Sequence, residues 1–223
     1  MATPLLVQRT AAFVKQQLQS NDASHDWSHI QRVWTLAQSL AKEECVSEEG
    51  LEVVDLAALL HDMDDWKYQS DREKPTTRAA AFLESEHVPR DKIERVMAII
   101  DTMGFKEELA GNRQHPYSIE YGCVQDADRL DAIGAIGIAR CFTYGGSKRR
   151  PLYDADVLPT TSMTKEQYMD PTRANTTINH FYEKLLKLRS LMKTDAGRRL
   201  AAERHAFMET FLAQFHNECS GRG

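Results

Sequence analysis

Val53-Val54-Asp55-Leu56-Ala57-Ala58-Leu59-Leu60-His61-Asp62 is the stretch around which the rest of the chain can be arranged. Val53, Leu56, Ala57 and Leu60 recur with a helical period, so the run predicts a buried helix. It ends on adjacent His and Asp, and Asp64 and Asp65 follow at once. Apolar surroundings penalise unpaired charge, and a divalent cation is one common way to satisfy it. Two isolated ligands make a poor site, so the question is what else the chain supplies.

At 223 residues the chain fits one large domain or two small ones. With no strong linker in it, the expectation is a single all-α domain over 1–223, with a loop-rich segment at about 145–172. An apolar fraction of 42% is enough for a substantial core and argues against disorder. The net charge of -5 argues against a bulk nucleic-acid binder or a polybasic membrane protein. A small anionic substrate stays open, because a metal and a few local cations can make a positive pocket. Cys45, Cys123, Cys141 and Cys219 are far apart and form no CxxC pair, so they read as reduced thiols. The N-terminus has no long apolar stretch, and no segment approaches a membrane span. The expectation is a soluble, cytoplasmic monomer or homodimer, with nuclear access open.

In chain order, the apolar spacing predicts helices over 5–20, 26–44, 50–62, 76–87, 89–102 and 118–144. Two more follow over 173–193 and 196–218. Asn21-Asp22-Ala23-Ser24 reads as a turn, 64–75 as a charged loop and 103–118 as a surface loop. A further short helix is expected near 164–169. Gly134 and Gly137 interrupt the 118–144 segment at a cost of about 1 kcal/mol each against alanine, which points to close helix contact. Gly145-Gly146 lacks the strand–turn–helix context of a phosphate-binding loop.

Four residues on or beside these helices qualify as metal ligands: His29, His61, Asp62 and Asp128. Their long separations exclude a local metal-binding loop, but packed helices can bring such residues together. Two imidazoles and two carboxylates form a mixed N/O set that suits Mn²⁺, Fe²⁺ or Zn²⁺.

The segments that carry these residues are His25-Asp26-Trp27-Ser28-His29-Ile30-Gln31-Arg32-Val33, Ala57-Ala58-Leu59-Leu60-His61-Asp62-Met63-Asp64-Asp65-Trp66-Lys67, and Val124 to Gly137 with Asp128 inside it. Together they resemble the HD-domain metal-dependent phosphohydrolases, whose pattern is a His, an adjacent His-Asp and a distal Asp. The likeness extends over about residues 5–215 and is greatest to a small subgroup of nucleotide pyrophosphohydrolases. It implies a helical fold with one divalent ion, Mn²⁺ first, with Fe²⁺, Zn²⁺, Mg²⁺, Co²⁺ or Ni²⁺ as alternatives. It also implies hydrolysis of nucleoside or deoxynucleoside triphosphates to monophosphate and pyrophosphate. The alternatives are a 5′-nucleotidase or phosphodiesterase, and a non-catalytic metal- or nucleotide-binding signalling module.

Around the four ligands, Asp65 resembles the acid that single-metal relatives place beside the attacking water. Arg32 can hold a phosphate through its fork of donors, or pair with Asp26, Asp62 or Asp131. Lys67 can meet phosphate oxygens, and Trp66 can stack on a base. Lys148-Arg149-Arg150 is a short basic run that would contact a triphosphate tail if its loop folded inward. His25, four residues before His29, is a candidate substrate contact, with ordering of its loop or ligation of a second metal as alternatives, and His87 and His115 do not resemble ligands of a second metal.

Overall fold

The structure is a computed structural model that describes residues 3–18, 26–63, 77–105, 117–162, 164, 167 and 173–222. Among the described residues there is no strand, so the all-α expectation holds. The chain divides into two compact units, Met1–Ala127 and Asp128–Gly223.

In the first unit, α1 (Leu5–Gln17), α2 (Trp27–Glu43) and α3 (Glu48–Leu60) are followed by α4 (Arg78–Ser85) and α5 (Arg90–Thr102). Helix α3 is the organising element. It packs against α1, α2 and α5, and every side chain from Val53 to Leu60 is buried. That explains why its apolar residues form a near-continuous run rather than one stripe. Val7, Val14 and Leu18 of the first segment, and Ile30, Val33, Ala37, Leu40 and Ala41 of α2, supply the facing surfaces. The start of α2 is fixed by Asp26, whose Oδ1 accepts the His29 backbone N–H at 3.0 Å. The turn expected at 21–24 lies outside the described residues.

Helix α6 (Ile119–Asp131) begins in the first unit and runs unbroken through the division point. Gln125, fully buried, donates through Nε2 to the Met103 carbonyl at 2.9 Å and to the Tyr121 hydroxyl at 2.6 Å. The first of these bonds ties α6 to the end of α5, and the second lies within α6.

The expectation of one helix over 118–144 is corrected here. The chain turns at Ala132–Ile133 and resumes as α7 (Gly134–Ser147). Gly134 sits at φ +72°, a conformation that glycine adopts at little cost. A Cβ on Gly137 would lie 2.2 Å from the Ala132 carbonyl oxygen. Gly134 thus makes the turn and also gives the expected close helix contact, since a Cβ there would lie 3.0 Å from the Arg204 side chain of the C-terminal helix, whereas Gly137 is held against the turn itself.

The second unit continues with α8 (Asn179–Glu183), a 3₁₀ helix (Leu185–Leu191) and α9 (Asp195–Cys219). The single helix expected over 173–193 is thus two short pieces of different pitch. Its predicted stripe of Ile178, Phe181, Leu185, Leu188 and Met192 is nevertheless buried. The irregular stretch before α8 is held by Glu183, which is 1% exposed. Its carboxylate accepts two bonds from Arg173, at 2.5 and 2.7 Å, and one from the Thr160 N–H at 3.1 Å. Burial alone would push Glu183 upward, but these donors and Asn175 outweigh it and hold its carboxyl below the ordinary value.

The four cysteines are free. Burial pushes the thiols of Cys123, in the core, and Cys141, half-buried, up to about 12, so neither is poised as a nucleophile.

Candidate metal centre

His29 lies in the first turn of α2, and His61 is the residue on which α3 ends. Both reach their places through ordinary local chemistry. The Asp26 cap starts α2 just before His29. The apolar α3 is driven into the core and delivers His61 at its exit. Their rings meet edge to face with centroids 5.3 Å apart. Asp62 lies between them, with Oδ2 3.3 Å from His29 Nε2 and Oδ1 3.6 Å from His61 Nε2.

The tautomer of His61 follows from its other nitrogen. Nδ1 is 2.9 Å from the Ala58 carbonyl, which can only accept, so Nδ1 carries the proton. That leaves Nε2 facing the cluster, the nitrogen through which this imidazole would meet a metal. Asp128 is carried on the last turn of α6. One ligand atom from each of His29, His61 and Asp128 lies within 4.8 Å of the others. This donor set fits a divalent cation, and the Asp62 oxygens are close to both imidazoles. His61 Nε2 and Asp62 Oδ2 are shielded from solvent, which favours a defined coordination site over an open surface cluster.

Arg32, one turn beyond His29 on α2, is half-buried. His25, Asp64, Asp65, Trp66 and Lys67 lie outside the described residues. At their near edge, Arg78 donates to the Met63 carbonyl just past the His-Asp pair. Lys148, Arg149 and Arg150 sit at the end of α7 in the second unit. Arg149 takes a left-handed φ of 53° there. Lys148 Nζ and the Arg150 guanidinium are each 5.4 Å from the centre of the Tyr144 ring.

Asp55 and Glu183 are buried acids that the sequence does not mark as site residues. Asp55 is 7% exposed, and its Oδ1 accepts both Trp34 Nε1 at 2.7 Å and Gln38 Nε2 at 2.8 Å. Burial pushes its carboxyl upward against those two bonds, and nearby Glu52 adds to the rise. The available signal was an acid inside an otherwise apolar run. Glu183 had a similar signal, lying within the 178–192 stripe.

The helical fold and a candidate divalent-metal site are those of the HD-superfamily hydrolases. The chain belongs to the HD-domain family, whose model matches residues 26–133. It is 39% identical to an HD-superfamily hydrolase of Bacillus thuringiensis, whose crystal structure superposes with a TM-score of 0.72 and covers 96% of each chain. A crystal structure of a Lactobacillus plantarum protein gives a TM-score of 0.85 at 39% identity, over 99% of this chain and 100% of that one. The Bacillus subtilis protein YpgQ is 36% identical over 211 residues, 94% of this chain and 91% of its own. YpgQ has been crystallised in complex with ADP, and that structure matches with a TM-score of 0.73 at 32% identity, over 97% of this chain and 100% of that one. Among the described residues, no helix is long and apolar enough to cross a membrane.

Proposed function

We propose that this protein is a divalent-metal-dependent nucleotide phosphohydrolase that cleaves nucleoside or deoxynucleoside triphosphates to monophosphate and pyrophosphate. The observation that carries the reading is the grouping of His29, His61 and Asp128 around one point. The ADP complex of YpgQ supports a nucleotide as the ligand class. Cleavage between the α- and β-phosphates comes from the resemblance of the His-Asp segments to the pyrophosphohydrolase subgroup.

His29, His61, Asp62 and Asp128 would hold the ion, Mn²⁺ by first expectation. A bound divalent ion lowers the pKa of water and polarises a phosphoryl oxygen. Asp65 accepts a proton from the attacking water. Arg32 and Lys67 offset the charge that develops on the phosphate oxygens, Arg32 through paired donors and Lys67 as a point charge.

The test is a product panel. Mn²⁺-loaded protein is incubated separately with nucleoside and deoxynucleoside triphosphates, with nucleoside monophosphates and with cyclic nucleotides, and the products are separated by anion exchange. The expected result is monophosphate and pyrophosphate in equal amounts. Orthophosphate released from a monophosphate, or opening of a cyclic phosphodiester without triphosphate cleavage, would replace the reading with the nucleotidase or phosphodiesterase alternative.

A further inference from the structure

Helix α2 carries His29 and α3 delivers His61, so the distance between these imidazoles depends on how far one helix slides along the other. The two helices pack directly. Moving five residues along α2 from His29 reaches Trp34, and moving back six residues along α3 from His61 reaches Asp55. Trp34 and Asp55 are hydrogen-bonded at 2.7 Å. The His29–His61 and Trp34–Asp55 pairs are therefore two rungs of one antiparallel ladder. At a rise of about 1.5 Å per residue the rungs stand roughly 7–9 Å apart.

Most of what α2 buries is apolar: Ile30, Val33, Ala37, Leu40 and Ala41. Such contacts favour burial but are non-directional. A slide of one residue exchanges one apolar contact for another, yet it displaces the imidazoles by about 1.5 Å. Asp55 adds a directional element to this packing away from the metal centre itself. It is 7% exposed and receives two donors from α2, Trp34 and Gln38, through the same oxygen. A shift in register would take both donors from a buried acceptor, which is the costly way to lose a hydrogen bond.

We propose that Asp55 is a positioning residue for the metal centre: through Trp34 and Gln38 it keys the register of α2 on α3 and so sets the spacing of His29 and His61. The inference rests on the reading of those histidines as metal ligands and extends it to groups that touch neither metal nor substrate. Because both donors use Oδ1, an amide at position 55 preserves both bonds through its own carbonyl oxygen. The key is the acceptor, not the charge.

The experiment measures Mn²⁺ dissociation constants by equilibrium dialysis, with no nucleotide present. The proteins are wild type, Asp55→Asn, Asp55→Ala and Trp34→Phe, with melting midpoints recorded for the metal-free forms. The expected result is that Asp55→Asn stays within about twofold of wild type, while Asp55→Ala and Trp34→Phe weaken Mn²⁺ by about tenfold or more, the range typical of lost outer-sphere support. Trp34→Phe keeps a large ring in place, so it serves if Asp55→Ala does not fold. Variants that fold with lower melting midpoints but bind Mn²⁺ like wild type would overturn the proposal and leave Asp55 a purely structural group. Equal weakening in Asp55→Asn and Asp55→Ala would also overturn it, because charge would then matter and register would not. If wild type itself binds no Mn²⁺, the metal reading fails first, an outcome distinct from either of these.

Discussion

His61 has its local role fixed by one bond. With Nδ1 committed to the Ala58 carbonyl, only Nε2 faces the cluster. His61→Ala, like Asp128→Ala, is expected to lose bound metal and turnover together, as measured by metal analysis and product release on the same preparation. Normal stoichiometry with a normal rate would remove either residue from the site. Asp65→Asn is expected to separate the two functions. It should retain metal and lose roughly 10²- to 10⁴-fold in kcat, the range of general acid–base contributions. An unchanged kcat with hydrolysis rate-limiting would shift the role to Asp64. The residues grouped by the fold were legible in the sequence chiefly because their segments together resemble the HD-domain pattern; His61 also ends an apolar helix, and half-buried Asp128 follows the buried Val124 and Ala127. Asp55 interrupts an apolar run, but its partner Trp34 lies 21 residues earlier, and only packing shows that the two meet.

At the scale of elements, helical periodicity predicted which side chains are buried better than where helices begin and end. The 118–144 segment keeps an apolar period through Leu130 and Ile133, so its break is invisible to that signal. The break resides in backbone geometry, with Gly134 at positive φ and Gly137 against the Ala132 carbonyl. Gly137→Ala puts a methyl group into that carbonyl and is expected to destabilise by about 1–3 kcal/mol, read from denaturant unfolding. A neutral result would mean that the turn relaxes freely. The 173–193 segment shows the same division, since its buried stripe survives although α8 gives way to a 3₁₀ helix.

Glu183 offers a pH test of that region. A carboxyl held below its ordinary value of 4.5 contributes stability in full above that value and loses it as the pH falls through the folded-state value. Glu183→Gln should therefore melt below wild type at neutral pH, by about 1–3 kcal/mol in stability. The gap should narrow as the pH is lowered beneath 4.5. Melting midpoints recorded across that range check this, and a gap that does not change with pH would assign the effect to packing rather than to the Arg173 pair.

At the scale of the molecule, the site draws on helices far apart in sequence. His29 opens α2, His61 closes α3, and Asp128 rides on a helix that runs continuously from Ile119 to Asp131. A four-part pattern spread over a hundred residues is strong because all the segments that carry it resemble the family together, where a bare His-Asp pair would say little. The identity of the bond cleaved is not carried by this pattern, since similar ligands serve several phosphoester hydrolyses. The central claim is that the His and Asp cluster binds the ion on which hydrolysis depends. The most direct measurement adds Mn²⁺ stepwise to chelator-stripped protein and records bound metal and triphosphate hydrolysis on the same samples. The account predicts no hydrolysis in the stripped protein, a rate that rises with occupancy and levels off at one ion per chain, and no rise in His61→Ala. Full hydrolysis by stripped protein, or a saturated site with no hydrolysis of any triphosphate, would contradict it.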